Sequence, residues 1–438
     1  MTKINQILKQ QIELIKPDKK TLEKISKTSD KFVKELREKL KKKKINADVF
    51  IGGSLAKKTI VKKDKYDVDI FVRFDKKYEN TEISMLLGKI LNKNAKKIHG
   101  SRDYYQRAVN KIIMEIVPVI KIKKQQEAQN ITDLSYFHVN YINKIINKNK
   151  KLADEIILAK TFCHANNCYG AESYIHGFSG YALELLICYY GSFLRFIKSI
   201  SLVSLKNKSE KNRSSKSNRL SDNRIIIDSA NFYKNKEEIL RELNESKINS
   251  PIILIDPTFK ERNALAGLSP ETFIKFKKIC QEFLRKPSNE FFKIKNIKEE
   301  LKRKYKNKLI TLAIKTNKQA GDIAGTKSKK FFEFFASKLE KNFIVKLKEF
   351  DYKEKENLAY FYFVIDKKKN EIVKGPPVTN IHNLTRFKKV HKNAFIKNHI
   401  AYARISHNLG FKEFIKIFKT KEKKIIKEMS VKGIELIN

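Results

Sequence analysis

The sequence predicts an α+β protein with more than one domain, and three patterns lead to this prediction. An apolar run over residues 49–51 predicts a short β-strand, and apolar residues over 68–74 alternate with the period of a second strand. Apolar residues before position 45, and between positions 153 and 200, recur at helical spacing. A strand–helix–strand–strand order begins at Leu309. At 438 residues the chain is too long for one hydrophobic core, so we expect about two to four domains.

The N-terminal region begins with two predicted helices. Isoleucine and leucine recur at helical spacing over residues 2–16, and Pro17 then opens a second helix. That helix ends in the lysine run 41–44, where cations are favourable at a helix C-terminus. The chain that follows predicts, in order, a strand over 49–51, a turn, a strand ending at Phe74, a helix over 85–91 and a strand over 112–120.

The turn Gly52-Gly53-Ser54 has the composition of a phosphate-binding turn. Glycines let backbone N–H groups approach a phosphate closely, and the N-terminus of a following helical turn favours negative charge. On the next strand Asp67 and Asp69 project from the same face, because side chains alternate along a strand. Adjacent carboxylates repel each other unless a cation lies between them, so a divalent metal carrying nucleotide phosphates is the natural occupant. Taken alone, this Asp-x-Asp pattern is also typical of a solvated strand face.

Glu115 is the lone charge in the predicted strand 112–120. Ile113 and Val117 are its neighbours on the same face, and a carboxylate in that setting is costly unless it is paired or bound to metal. A glutamate facing water from an edge strand is the alternative. Because an Asp-x-Asp precedes it, we expect Glu115 to be the third carboxylate of one site.

The rest of the chain contains further predicted helices and strands and one basic segment. The stretch 205–222 is rich in Lys, Ser, Asn and Arg and predicts a mobile surface loop. Helices are predicted over 153–168, 178–200, 270–284, 331–339 and 411–417. Strands are predicted over 225–227, 252–255, 309–314, 343–350 and 360–365.

The composition indicates a polyanionic partner. The formal net charge is +47 and the pI is about 9.9. A codon bias towards Lys, Asn and Ile accounts for part of this charge, and the remainder favours nucleic acid. Four cysteines in so long a chain argue against a disulfide framework, and no apolar run reaches the length of a membrane span. We therefore expect a cytoplasmic protein with no membrane partner.

The glycine turn and the acidic strand together resemble the nucleotidyltransferase superfamily that includes polymerase beta and the poly(A) polymerases. Nearly the whole chain resembles one family within it, the archaeal-type, class I CCA-adding enzymes. Besides the turn and the acidic strand, the segments that carry this resemblance are Met114-Glu-Ile-Val-Pro118, Ser135-Tyr-Phe-His138, Tyr169-Gly-Ala-Glu172, Gly177-Phe-Ser-Gly-Tyr181, Tyr190-Gly-Ser-Phe193, Asp256-Pro257, Glu261-Arg-Asn263, Leu268-Ser269 and Lys374-Gly-Pro376. The middle segments are specific to this family rather than to nucleotidyltransferases at large.

The resemblance implies a fold and an activity. It implies a polymerase beta-like nucleotidyltransferase catalytic (head) domain over 1–150, a helical central (neck) domain over 151–256, and an α+β body and tail over 257–438. The last region would bind tRNA and contain a small β-α-β-β module around 306–370. The implied activity is template-independent addition and repair of the 3′-terminal CCA of tRNA, from CTP and ATP with release of pyrophosphate. The partner would be the acceptor stem and 3′ end of tRNA, and the family is often homodimeric.

The resemblance also assigns residues to the site. Asp67 and Asp69 would hold two metal ions, expected to be Mg²⁺, and Glu115 would complete the metal site. The nucleotide would be contacted by Gly53, Ser54, Lys57, Ser135, His138, Lys160, Tyr169 and Arg262. Two of these positions depart from the family, which usually has Arg at the position of Lys57 and Thr at that of Ser135. Without the resemblance, Lys160 is an ordinary helix lysine and Tyr169 a packing residue.

Two other functions are compatible with parts of this pattern. A nucleotidyltransferase that makes poly(A) or oligoadenylate would share the glycine turn and the Asp-x-Asp. It has less reason to carry the segments over 169–194 and 256–269. A non-catalytic RNA-binding protein on the same scaffold is the second alternative, and the presence of all three carboxylates argues against it.

Overall fold

The computed structural model describes residues 2–92, 95–203, 224–317, 321–405 and 408–437. The chain forms two compact units, one of Met1–Ala171 with Ile175–Ile294 and one of Glu172–Tyr174 with Lys295–Asn438. The basic segment predicted over 205–222 lies outside the described residues. The domain boundaries expected after residues 150 and 256 fall inside the first unit, and the division into three domains stays a prediction.

A five-stranded sheet forms the N-terminal part of the first unit. Its strands are β1 (Ala47–Ile51), β2 (Tyr66–Phe74), β3 (Lys96–Ile98), β4 (Tyr104–Val109) and β5 (Ile112–Ile120). Their order is β1-β2-β5-β4-β3, in which β2 and β5 run parallel while the other neighbouring pairs are antiparallel. The parallel pair sets Asp69 opposite Glu115, so these two carboxylates project from one face of adjacent strands.

Two helices cover the opposite face of this sheet. The helices of this region are α1 (Lys3–Ile15), α2 (Lys19–Lys42), α3 (Gly53–Ala56) and α4 (Ile83–Leu91). Val68, Ile70, Val72 and Phe74 of β2 are fully buried in one core with side chains of α2 and α4. The expected alternation along β2 is therefore confirmed, with its apolar residues turned to the core.

The remainder of the first unit is mainly helical. Its helices are α5 (Ser135–Lys148), α6 (Lys151–Ala165), α7 (Gly180–Tyr190), α8 (Phe193–Leu202), α9 (Lys236–Glu242), α10 (Glu245–Ile248) and α11 (Pro270–Arg285). A small sheet of order β6-β7-β8 consists of β6 (Ile225–Ile227), β7 (Ile252–Asp256) and β8 (Phe259–Asn263). Helices α1, α6, α7, α8 and α11 bury their apolar faces in one common core.

The single helix expected over 178–200 is wrong, because the chain bends there. Gly191 adopts a left-handed conformation with φ of 77°, which ends α7. The side chain of Ser192 then accepts a hydrogen bond from the backbone N–H of Arg195 and begins α8. The two helices meet at 92°. Among the described helices none alone is long and apolar enough to cross a membrane, and this bent pair reaches that length and composition only jointly.

The second unit contains two sheets and five helices within its described residues. The helices are α12 (Ile297–Tyr305), α13 (Gly321–Asn342), α14 (Ile381–Val390), α15 (Phe411–Lys421) and α16 (Lys423–Glu428). The strands are β9 (Leu309–Thr316), β10 (Phe343–Lys353), β11 (Leu358–Lys367), β12 (Glu371–Pro377), β13 (Ala394–Lys397), β14 (Ile400–Ile405) and β15 (Val431–Leu436). They form sheets of order β10-β11-β9-β15 and β12-β14-β13. The expected β-α-β-β module is confirmed as β9-α13-β10-β11.

Candidate active site

The glycine turn is built directly against the acidic strand. The backbone N–H of Gly52 donates to the carbonyl oxygen of Asp69 over 2.8 Å. Gly53 has φ of 57°, and a Cβ at this position would lie 1.6 Å from Oδ2 of Asp69. Only glycine permits both this backbone conformation and this approach. The turn and the Asp69 carboxylate therefore form one unit.

The predicted carboxylates lie in a row of polar side chains across three strands. Asp69 of β2 is paired in register with Glu115 of β5, which is paired with Gln106 of β4. The Nε2 of Gln106 donates to Oε1 of Glu115 over 2.8 Å. At the end of β2 nearest the turn, Nζ of Lys63 lies 3.5 Å from Oδ2 of Asp67. In the described parts of the chain, no three Asp, Glu, His or Cys side chains converge in the arrangement of a metal site.

Both central carboxylates resist ionisation. Burial raises the pKa of Asp69, and the neighbouring charge of Asp67 adds to that effect. Burial, followed by the charge of Asp69, raises the pKa of Glu115 to about 7. The charges of Lys57 and Lys160 act against the shift at Asp69, and a divalent ion held between the carboxylates would lower both pKa values further. The chemistry of the three oxygen donors therefore fits a hard divalent metal.

A cavity of about 680 Å³ opens beside the acidic strand. Residues from the glycine turn, β2, α6 and α7 line it, and they include Gly53, Ser54, Lys57, Thr59, Asp67, Asp69, Lys160, Tyr169, Gly180, Tyr181 and Glu184. The structure thus brings seven of the expected site residues together. Glu115, Ser135, His138 and Arg262 are not among the lining residues.

One wall of the cavity carries two buried lysines that share one glutamate. Nζ of Lys57 donates to Oε2 of Glu184 over 2.6 Å, and Nζ of Lys160 donates to Oε1 over 2.7 Å. Lys160 also donates to the hydroxyl of Thr59 over 2.9 Å. Burial alone would raise the pKa of Glu184, but the charges of Lys160 and Lys57 outweigh it and lower that pKa. Lys160 is therefore not the solvated helix lysine of the alternative interpretation.

His138 and Arg262 belong to a second polar cluster around the fully buried Asp256. Nη1 of Arg262 donates to Oδ2 of Asp256 over 2.6 Å, and Nε2 of His138 lies 3.1 Å from the same oxygen. The Tyr181 hydroxyl donates to Oδ1 over 2.9 Å, as does the backbone N–H of Thr258. Burial opposes ionisation of Asp256, but hydrogen bonding from His138 and the charge of Arg262 outweigh it and lower its pKa.

Tyr181 connects this second cluster to the cavity. Its ring stacks on the imidazole of His138 with centroids 4.0 Å apart, and it lies on the cavity wall. The guanidinium carbon of Arg262 lies 5.5 Å from the centre of the same ring. Ser135 begins α5, one helical turn before His138, and Tyr169 stands beside Gly180, where an added Cβ would lie 2.8 Å from the Tyr169 hydroxyl.

Sequence reasoning missed several residues that organise the site. Glu184 is the lone charge in the apolar helix α7, the same signal that drew attention to Glu115 in its strand. Asp256 was noted only as part of a motif, although it is the acceptor that fixes His138 and Arg262. Gln106 carried no signal, because a glutamine in a strand is ordinary until its partner is known.

The fold and the site together define the protein as a nucleotidyltransferase. A family model described as "Second Messenger Oligonucleotide or Dinucleotide Synthetase domain" matches residues 1–136, and one described as "tRNA nucleotidyltransferase, second domain" matches residues 154–293. The CCA-adding enzyme of Nanoarchaeum equitans is 34% identical over 357 residues, which cover 80% of this chain and 81% of that relative. The chain therefore belongs to the CCA-adding enzyme family.

Other known proteins are similar at lower identity. The CCA-adding enzyme of Methanocaldococcus jannaschii is 29% identical over 90% of this chain and 86% of its own length. A solved structure described as a cytoplasmic RNA terminal U-transferase has 14% identity and a TM-score of 0.47, over 68% of this chain and all of that one. The curated relatives confirm the family expected from the motifs, and nucleotidyltransferases of this kind generally use divalent metal ions.

Proposed function

We propose that this protein adds and repairs the 3′-terminal CCA of tRNA without a template, consuming CTP and ATP and releasing pyrophosphate. The observation that carries this proposal is the cavity lined by Asp67 and Asp69 together with the buried Lys57 and Lys160. A nucleoside triphosphate with its metal needs this combination of carboxylates and cations. Membership of the CCA-adding enzyme family supports tRNA, CTP and ATP as the substrates.

Asp67, Asp69 and Glu115 are the proposed metal ligands, and Mg²⁺ is the proposed ion. When bound, two such ions orient the triphosphate and lower the pKa of the RNA 3′-hydroxyl. To hold such an ion, Glu115 would give up its hydrogen bond from Gln106, and Asp67 would give up its contact with Lys63. The ion pair of Lys63 with Asp67 is exposed and costs little to break, whereas the hydrogen bond from Gln106 is part-buried between the central strands β4 and β5.

The other expected residues are proposed to hold the incoming nucleotide. Lys57 and Lys160 would neutralise phosphate oxygens, next to the backbone of Gly53 and Ser54. The RNA 3′-hydroxyl then attacks the α-phosphate in line and pyrophosphate departs, with catalysis mainly by positioning and charge neutralisation. From the family resemblance, His138, Lys160 and Tyr169 would contact the triphosphate and sugar of the incoming nucleotide, with Ser135 in the same nucleotide-contacting segment as His138. Arg262 would help to present hydrogen-bond donors to the base.

The surrounding charge is proposed to hold the tRNA. A net charge of +47 attracts the phosphate backbone of the acceptor stem regardless of its sequence. The second unit, with its two sheets, is the proposed tRNA-binding region. The family resemblance extends the proposal to a homodimer acting in the cytoplasm.

An extension assay tests this function. A tRNA transcript that lacks its 3′ end is incubated with the protein and CTP alone, and we expect growth by two residues and then a halt, followed by one further residue when ATP is added. Repeated extension with ATP alone would indicate a poly(A)-type enzyme, and no extension would indicate a non-catalytic RNA-binding protein. Asp69→Ala should abolish incorporation and leave tRNA binding intact. Nucleotide incorporation by the Asp69→Ala protein would contradict the assignment of Asp69 as a metal ligand.

A further inference from the structure

Glu184 is a buried carboxylate whose two oxygens are both occupied by lysines of the cavity wall. Its side chain is 1% exposed, with Lys57 on Oε2 and Lys160 on Oε1. The hydroxyl of Thr59 lies 3.4 Å from Oε1, on the side of Lys160. Lys57 follows α3, Lys160 lies in α6 and Glu184 lies in α7, so three separate elements converge on this carboxylate.

The charges of this cluster explain why the glutamate is needed. Two ammonium groups brought together away from water repel each other and lose hydration. Burial lowers the pKa of Lys160, and the charge of Glu184 acts against that shift. Without the carboxylate the two lysines would separate or lose a proton. With it, the cluster keeps a single net positive charge on the cavity wall.

The hydrogen bonds also leave donors for a ligand. An ammonium group has three N–H donors. Lys57 donates one hydrogen bond, to Glu184, and Lys160 donates two, to Glu184 and Thr59. Counting hydrogen bonds to the described residues, three donors are left on these two lysines of the cavity lining, and Nζ of Lys57 also lies 5.9 Å from the centre of the Tyr181 ring. Phosphate oxygens are strong acceptors for charged donors of this kind.

We propose that Glu184 is a positioning residue for the triphosphate, which fixes the ammonium groups of Lys57 and Lys160 in the orientation that receives the phosphates. The inference rests on the proposed function, in which this cavity binds the nucleotide. Glu184 itself does not touch the substrate and acts through the two lysines. Its removal therefore weakens triphosphate binding even where the protein stays folded and binds tRNA normally.

Glu184→Gln tests the inference, because it keeps the shape of the side chain and removes its charge. The new amide can accept only at its oxygen, so its NH₂ group faces an ammonium group. We expect the affinity for inorganic tripolyphosphate with Mg²⁺, measured by calorimetry, to fall about tenfold or more. Glu155→Gln is the matched control, since Glu155 lies on α6 and accepts from the backbone N–H of Phe193 over 2.8 Å, away from the cavity lining. It should lower stability and leave tripolyphosphate binding unchanged.

A second variant and a double mutant separate positioning from folding. Thr59→Val removes the hydroxyl that accepts from Lys160, and it should also weaken tripolyphosphate binding, by a smaller factor than Glu184→Gln. This variant tests the inference if Glu184→Gln does not fold. In a Lys160→Met background the effect of Glu184→Gln should shrink, because its partner is gone. Unchanged or tighter binding in folded Glu184→Gln, or in Thr59→Val, would overturn the inference. Tripolyphosphate binding tests the role of Glu184 even if the wild-type protein fails to extend tRNA. Failure to extend tRNA would refute the proposed function and leave the test of Glu184 intact.

Discussion

Replacing Gly53 by alanine tests whether the glycine turn and the acidic strand work as one unit. The left-handed backbone at Gly53 costs a residue with a Cβ about 1–2 kcal/mol. The added Cβ would lie 1.6 Å from Oδ2 of Asp69, whereas real Cβ contacts under 3.0 Å are essentially never seen. The carboxylate must therefore move by the difference, 1.4 Å, or the turn must shift by as much.

The expected loss of activity follows from that displacement. A misplacement of about 1 Å in a reacting constellation costs about 100-fold in rate. We expect Gly53→Ala to slow single-turnover incorporation of CTP about 100-fold, with a loss of about 1–2 kcal/mol in the free energy of unfolding. The affinity for tRNA should not change, because the proposed RNA-binding surface is elsewhere.

Single-turnover kinetics on a tRNA lacking its CCA end, together with urea unfolding, measure both effects. Gly433→Ala is the matched control, since nothing lies within 4 Å of an added Cβ there and its φ is not left-handed. That variant should keep the wild-type rate and stability. A Gly53→Ala protein that retains its rate within a few-fold would refute the claim that the turn fixes Asp69.

Three further predictions concern the second cluster and the tRNA. Asp256→Asn leaves Arg262 and His138 without their carboxylate, so the free energy of unfolding, measured with urea, should fall by about 3–5 kcal/mol. An unchanged urea midpoint would contradict the hydrogen bonds and ion pairs described around Asp256. Burial lowers the pKa of His138 from its ordinary 6.5, so the unfolded chain binds this proton first. The free energy of unfolding should therefore decline as the pH falls from about 6.5 towards the lowered pKa. The His138→Gln protein should lack that part of the decline. Equal declines in the wild-type and His138→Gln proteins would contradict this prediction. The affinity for tRNA should fall steeply, at least about tenfold, between low and moderate salt, and a flat dependence would exclude a mainly electrostatic interaction.

Local patterns were sufficient for most of the elements. The alternation in β2 identified a strand with an acidic and an apolar face, because burial on one side imposes a period of two. The bend between α7 and α8 was missed although its signals, Gly191 and Ser192, are in the sequence. The apolar residues on both sides of Gly191 and Ser192 led instead to the prediction of one continuous helix. The parallel pairing of β2 with β5 has no local signal, since it depends on tertiary packing.

A charge that interrupts an apolar pattern is the sequence signal for candidate site residues. Glu115 was singled out in this way and stays a prediction as a metal ligand, and Glu184 carries the same signal in α7. The partners were not predictable, because Lys57 and Glu184 are 127 positions apart and only the fold brings them together. Lys57 and Lys160 were assigned by family resemblance alone.

Burial separates the lysines of the site from the many others in the chain. The chain has 95 Lys and Arg, and a codon bias adds such residues most easily on the surface, where they cost little. Such a bias does not account for Lys57 and Lys160, which are the buried lysines of the described residues at 7% exposure each. Burying an ammonium group is costly unless a carboxylate compensates it, and Glu184 does so for both. The general surface charge therefore supports the proposed attraction to RNA, whereas this buried pair with its shared carboxylate supports the proposed triphosphate site.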